Sequence, residues 1–219
     1  MTANDMAKLQ EEAIDYASPI IVRVGAERHP FIINKDIPLD DQTEFCTLTL
    51  KDVEFKAFNV NANWLHSRMV YTRLGGARPR EAYALLLRCY VLGDVLLDLD
   101  FKDALADAFI CEVNTVAEGN RWLPSTETQK TLFANTIPTA KLRQLCVDIF
   151  AGCRDAKVLS ADDPPDFLRS VAEALISGSS VNQRAMFADC KCHEHGEGED
   201  ACYRKRLFAA PRKPAEPPK

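Results

Sequence analysis

The sequence predicts an α+β fold: a small β-sheet, made of an N-terminal hairpin and a third strand, covered by a cluster of α-helices and followed by a helical extension. Three observations predict it. Ile20, Val22 and Val24 alternate along one strand and Phe31 and Ile33 along a return strand, with Gly25-Ala26-Glu27-Arg28 as the turn. Tyr83, Leu86, Leu87, Tyr90 and Val91 fall at i, i+3, i+4, i+7 and i+8, and Phe101, Ala104, Leu105, Ala108 and Phe109 repeat that spacing. After these the strand signals stop and helical stripes continue, which is the order of an α+β chain.

The remaining elements follow in order. Met6 to Tyr16 reads as a short helix, with Leu9, Ala13 and Tyr16 on one side and Pro19 as its stop. The β-branched run Ile20-Ile21-Val22 suggests a strand buried on both faces. Ile37 to Gln42, with Pro38 and acidic neighbours, reads as a loop, and Glu44 to Leu50 as the third strand, with Cys46, Leu48 and Leu50 on one face. Asp52 is a plausible cap for a helix from Val53 to about Leu65, whose inner face carries Val53, Ala57, Val60 and Trp64, with Phe58 and Leu65 beside them. Arg68 to Leu74 suits a short strand or the close of that helix, and Gly75 to Arg80 reads as a loop. Between the two central helices the period breaks at Leu96 to Leu99, and Asp100 sits where a cap belongs. Ser125 caps Thr126 to Asn135. A helix after Pro138 carries Leu142, Leu145, Cys146, Ile149 and Phe150 inward. Asp163-Pro164-Pro165-Asp166 starts a last helix to about Ile176, with Phe167, Val171, Ala174 and Leu175 inward. The proline-rich end from Leu207 is expected not to fold.

Composition narrows the function classes. At 219 residues with 47% hydrophobic and 27% charged side chains, the chain is expected to bury an ordinary core. Its net charge of -5 argues against binding driven by phosphate neutralisation, so nucleic acid is not an expected partner. No apolar run approaches membrane-spanning length, and the N-terminus lacks the apolar core of a secretory signal, so a cytoplasmic or nuclear address is expected. Motifs for a nucleophile elbow, a phosphate-cradling glycine loop or a His-Glu-x-x-His metal site are missing, and no catalytic residue is assigned. His29 and His66 are single histidines read as structural or solvated, and Asp94 with Asp98 to Asp103 as capping groups and a solvated corner.

Cys46, Cys89, Cys111, Cys146 and Cys153 are scattered and read as small apolar residues of a reduced protein. Cys190, Cys192, His193, His195 and Cys202 differ: five soft or borderline donors lie within thirteen residues, a candidate zinc site. The spacing matches no standard finger, and Cys-x-Cys-His crowds the donors. A surface tail with incidental ligands is the competing reading.

Several segments, in order, resemble BTB/POZ domains, particularly those of filamentous fungi. LLLRCYVLGDVLLDLDFKDALADAFI resembles the leucine-rich helix, Tyr-Val-Leu-Ala-Asp motif and following helix of that family. IIVRVGAERHPFIINKD is similar to its opening hairpin, with Asn34-Lys35-Asp36 at the usual His-Lys-Asp, and TLTLKDVEFKAFNVNANWL to its strand and aromatic-rich helix. NTIPTAKLRQLCVDIFAG resembles a segment that follows the domain in fungal members, which also often carry a Cys-x-x-His-x-His tail. The resemblance covers roughly residues 18 to 177. Taken with the residue pattern, it divides the chain into an N-terminal helical segment at 1–17, a BTB/POZ-like domain at 18–118, a helical C-terminal extension at 119–180, and a Cys/His-containing tail with a disordered proline-rich end at 181–219. One departure is large. Between His-Lys-Asp and the third strand the family carries a helix and a strand, and here Ile37 to Glu44 replaces both, either as a shortened domain or as a gap in the coding sequence.

The resemblance implies a non-enzymatic protein–protein interaction module with no cofactor other than the candidate zinc. An adaptor of a cullin ubiquitin ligase is the second reading, and a small-molecule binder or enzyme on an unrelated helical fold the third. By resemblance, self-association is an expected property. The elements the family uses to dimerise and to contact cullins fall in the missing segment, so any self-association is expected through the sheet and the Leu9, Ala13, Tyr16 face, with cullin binding weak or absent.

Overall fold

The computed structural model describes residues 20–33, 46–72, 79–117, 120–178, 190–196 and 198–208. The expected helix at Met6 to Tyr16, the Asn34-Lys35-Asp36 motif, the Ile37 to Glu44 replacement and the proline-rich end lie outside the described residues. The fold is α+β, with a small sheet at the front and helices after it. It divides into two compact units between Phe58 and Asn59.

In the first unit β1 (Ile20–Val24) pairs antiparallel with β2 (His29–Ile33) and parallel with β3 (Cys46–Leu50), giving the order β2-β1-β3. The registers Val22↔Phe31 and Val22↔Leu48 put these three side chains on one face. Val22 and Val24 are buried, as the central position of β1 requires, whereas Leu48, on the same face of the edge strand β3, is 51% exposed. The turn needs Gly25: its φ of 76° suits a residue without a Cβ, and its N–H donates to the Leu50 carbonyl at 3.0 Å. The Phe31 ring lies 5.2 Å from Phe55 and 4.8 Å from Phe58.

Helix α1 (Phe55–Ser67) starts two residues later than expected, with the Phe58 N–H donating to the Glu54 carbonyl, so Asp52 does not cap it. Ala57, Phe58, Val60 and Trp64 are buried, but Leu65 is exposed one step round the helix from Trp64. Arg68, at φ 58°, ends the helix, and Met69 to Thr72 form neither strand nor helix.

Helix α2 (Pro79–Leu96) takes in the Pro79-Arg80 end of the expected loop, since proline fits a first helical position where the missing N–H costs nothing. Two residues link it to α3 (Leu99–Asn114). Leu97 adopts φ 55° and ends α2; Asp98, not Asp100, then caps α3, its carboxylate accepting from the Phe101 N–H at 2.9 Å. Tyr83, Leu86, Leu87 and Tyr90 on α2, and Phe101, Leu105 and Phe109 on α3, are buried as the stripes require. Burying each such side chain contributes about 1.5–3 kcal/mol relative to leaving it in water.

Two short strands absent from the sequence reading, β4 (Val116–Ala117) and β5 (Asn120–Arg121), close a turn before α4 (Thr126–Asn135). Ser125 caps α4 as expected, its Oγ accepting from Thr128 N–H at 3.3 Å. Helix α5 (Lys141–Cys153) buries Leu142, Leu145, Cys146, Ile149 and Phe150. Helix α6 (Pro165–Ile176) packs on it, with Phe167 edge-on to Phe150 at 5.1 Å. Asp163 does not cap α6: its carboxylate turns back to accept from Ser160 N–H at 2.8 Å, and Pro164 holds the cap position. Leu175, expected inward, is exposed near the helix end. A 3-10 turn at Cys190–Cys192, another at Glu199–Ala201 and the short helix α7 (Tyr203–Phe208) complete the described chain, so the region read as a tail carries ordered secondary structure.

Candidate metal centre

Four of the five candidate donors come together. The ligating atoms of Cys190, His193, His195 and Cys202 all lie within 4.8 Å of one another. The Sγ of Cys202 is 3.7 Å from Nδ1 of His193. A tetrahedral zinc with ordinary Zn–S and Zn–N bonds separates its sulfur and nitrogen ligands by roughly 3.5 Å. The spacing is Cys-x-x-His-x-His-x6-Cys, closed by a turn of chain on each side.

Cys192 is excluded, and the 3-10 turn explains why. In such a turn residues three apart share a side, so Cys190 and His193 face the same way and Cys192 does not. Its thiol is buried elsewhere and is pushed up to about 11, first by burial and then by the Asp148 and Asp107 carboxylates. Removing Cys192 from the set resolves the crowding of donors in Cys-x-Cys-His.

The imidazoles are oriented for the task. His193 is buried, with Nε2 3.0 Å from Oδ1 of Asp107, which fixes the proton on Nε2 and leaves Nδ1 toward Cys202. A carboxylate behind a ligating histidine both fixes the ring and raises its basicity. His195 uses Nδ1 on the Gly196 carbonyl at 2.8 Å, and its Nε2 is buried with no hydrogen-bond partner among the described residues. A buried ring nitrogen without a partner is costly unless something occupies its lone pair. The thiols of Cys190 and Cys202 hydrogen-bond one another; burial, then that contact, pushes Cys190 up to about 11. A zinc ion bound there would take each cysteine as thiolate and release its proton, the usual linkage at a zinc site.

Helix α3 supplies the bed for this loop. Asp100, Asp103 and Asp107 lie at i, i+3 and i+7, one stripe of its surface. Asp103 is fully buried; its Oδ1 accepts from the Glu194 N–H, and its Oδ2, 3.9 Å from Nδ1 of His193, has no hydrogen-bond partner among the described residues. Burial raises the Asp103 carboxyl above its ordinary value, only partly offset by the Glu194 N–H and the neighbouring histidine rings. Burial also pushes on Asp107, but His193, Arg204 and Tyr203 all donate to it and together hold it below the usual carboxylate range. Asp100 pairs with Arg206. The solvated corner expected at Asp98 to Asp103 does not hold for Asp103, which is buried, and Asp107, which the sequence did not single out, is buried beside it. The signal in the sequence was the i, i+3, i+7 spacing of the acids, matched by Arg204 and Arg206 beside Cys202.

Glu194, between the two candidate ligands His193 and His195, faces the other way. It accepts from the Tyr90 hydroxyl and from the Lys141 N–H at 3.0 Å, and its Oε1 lies 3.4 Å from the Lys102 ammonium. Burial pushes its carboxyl up, but these three donors win and hold it below the ordinary value. Burial and the same carboxylate push the Tyr90 hydroxyl well above its usual range, so it is a donor and not a nucleophile.

The other histidines stand apart. His29 pairs with Glu27 at 2.9 Å and lies 4.7 Å from the Phe55 ring, and His66 is exposed in the last turn of α1. Among the described residues no helix is long and apolar enough to cross a membrane. No family model, curated protein or solved structure matches this chain.

Proposed function

We propose that this chain is a non-enzymatic protein–protein interaction module of BTB/POZ type whose segment at 190–202 is folded around a structural zinc ion and laid against helix α3. The observation that carries the zinc is the convergence of Cys190, His193, His195 and Cys202, with the His195 Nε2 left unpartnered at its centre. Two thiolates and two neutral imidazoles are a closed donor set, the kind used to hold structure and not to activate water. The ionisable groups around it serve one another: Asp107 takes His193, Tyr203 and Arg204, and Glu194 takes Tyr90, Lys141 and Lys102. That is the pattern of a scaffold. The BTB/POZ reading is supported by the order of the motifs along the chain, and exposed Leu48 on an edge strand is suited to a protein partner or a second copy.

Metal analysis of the purified chain tests the zinc. One equivalent per chain is expected, lost in Cys190→Ser and Cys202→Ser and kept in Cys192→Ser. A metal-free chain whose stability ignores a chelator would overturn the zinc reading. Light scattering tests the interaction reading: a mass above the monomer that falls in Leu48→Lys is expected. Stoichiometric co-purification with a cullin would replace it with the adaptor reading.

A further inference from the structure

Helix α5 begins without a cap of its own. Its N-cap residue is Ala140, which offers no side-chain acceptor. The first amides of any helix need acceptors from outside it. Here they come from two distant places. The Lys141 N–H donates to Oε1 of Glu194 at 3.0 Å, and the Leu142 N–H lies 3.4 Å from the Tyr90 hydroxyl, which itself donates to Glu194. The carboxylate also suits the positive end of a helix.

We propose that Glu194 supplies the capping acceptor that Ala140 lacks at the start of α5, delivered by the metal loop, so that occupancy of the Cys190, His193, His195, Cys202 centre sets how firmly α5 is held. This rests on the zinc reading. Glu194 lies between His193 and His195, so ligation on both sides fixes its backbone, and Asp103 holds its N–H from α3. With both neighbours bound to one ion, the carboxylate has one direction left, toward Lys141, Tyr90 and Lys102. Lys102 is nearly buried, pairs with Asp94 and lies over the Tyr90 ring at 4.6 Å, so its charge also leans on Glu194. Loss of the ion frees the loop, withdraws the acceptor from Lys141, and leaves Tyr90 as the sole holder of the α5 start. The effect carries onward, because α5 is the surface on which α6 packs through Phe150 and Phe167. The centre therefore acts on the helical extension as well as on its own loop. Glu194 is a positioning residue in this scheme, since it touches no ion.

Amide hydrogen exchange at Lys141 and Leu142, read by NMR on the full chain with and without zinc, tests this. In the zinc-loaded protein both amides are protected. Glu194→Ala, with zinc still at one per chain, speeds their exchange by roughly five- to tenfold, the worth of a lost cap. Glu194→Gln, which keeps the acceptor and loses the charge, restores protection at Lys141 and guards against a variant that fails to fold. Chelating zinc from the unaltered chain reproduces the Glu194→Ala pattern. A chain that takes zinc but whose two amides ignore both Glu194→Ala and chelation overturns the coupling alone. A chain that takes up no zinc overturns the zinc reading and the coupling with it.

Discussion

The α2–α3 hairpin and the Cys190–Phe208 segment lie against each other and are held by opposite means. The hairpin buries Tyr83, Leu86, Leu87, Phe101, Leu105 and Phe109, and its stability comes from apolar area. The segment brings Cys192, Cys202 and Tyr203 as its buried hydrophobic residues, is held to α3 by carboxylates that meet His193 and two arginines, and is folded on itself by the proposed ion. The first region is stable under any condition that preserves the hydrophobic effect. The second depends on protons, on metal and on the geometry of a few polar pairs. A short segment without a core of its own needs such a fastening.

The comparison breaks most sharply by paired mutation. Cys202→Ser should abolish metal binding, which in zinc-finger peptides is worth about 10–16 kcal/mol, and release residues 190–208 to proteolysis. It should leave exchange protection in the hairpin near Phe109 in place. Phe109→Ala should cost about 3–5 kcal/mol in denaturant unfolding and leave the chain loaded with metal. If Cys202→Ser melts the hairpin as well, the two regions are one cooperative unit and the contrast fails.

Asp107→Asn sharpens the distinction between donor and support. It keeps all four ligands but weakens the hold on His193, and should lower zinc affinity by about 10- to 100-fold in a chelator competition. Unchanged affinity would show that the Asp107 contact orients nothing.

Acid should separate the regions too. Asp107 and Glu194 are both held below the ordinary carboxylate value, so their stabilising contribution is complete above an unfolded value near 4 and is lost as pH falls through the lower folded value. Urea midpoints of the zinc-loaded chain should drop as the pH is taken below about 4, and drop less in Asp107→Asn, which has no proton to take up there. The smallest expected effect lies outside both regions: Ser125→Ala should cost about 1 kcal/mol through the lost α4 cap, with no change in metal content.

What could be read from the sequence follows the same division. Helices held by apolar stripes were legible, and so was the cap at Ser125, because a serine before a clear stripe has one obvious amide to serve. Caps failed where two candidates competed. Asp98 and Asp100 flank Leu99, the first residue of α3, and Leu97 in the left-handed region settled it for Asp98. Asp163 looked like a cap but was taken by Ser160 in the turn before it. The donors at Cys190, His193, His195 and Cys202 were visible by type, but which four converge depended on the 3-10 turn that carries Cys192 away. Asp103 passed for part of a solvated corner, and Asp107 and Glu194 drew no reading, because the i, i+3, i+7 spacing of the α3 acids does not say which residues some ninety positions further on will meet them.

Gly93 ties two positions of the chain to one history. A Cβ there would meet Cγ of Lys102 at 2.7 Å, so the lysine stem occupies the room a larger residue would need. Alanine at 93 would displace Lys102 from Asp94, from the Tyr90 ring and from Glu194 together. The two sites are therefore expected to change in concert across descendants of this gene: a lineage gaining a side chain at 93 must shorten the one at 102, and recruit another cation for the loop, before it can keep both.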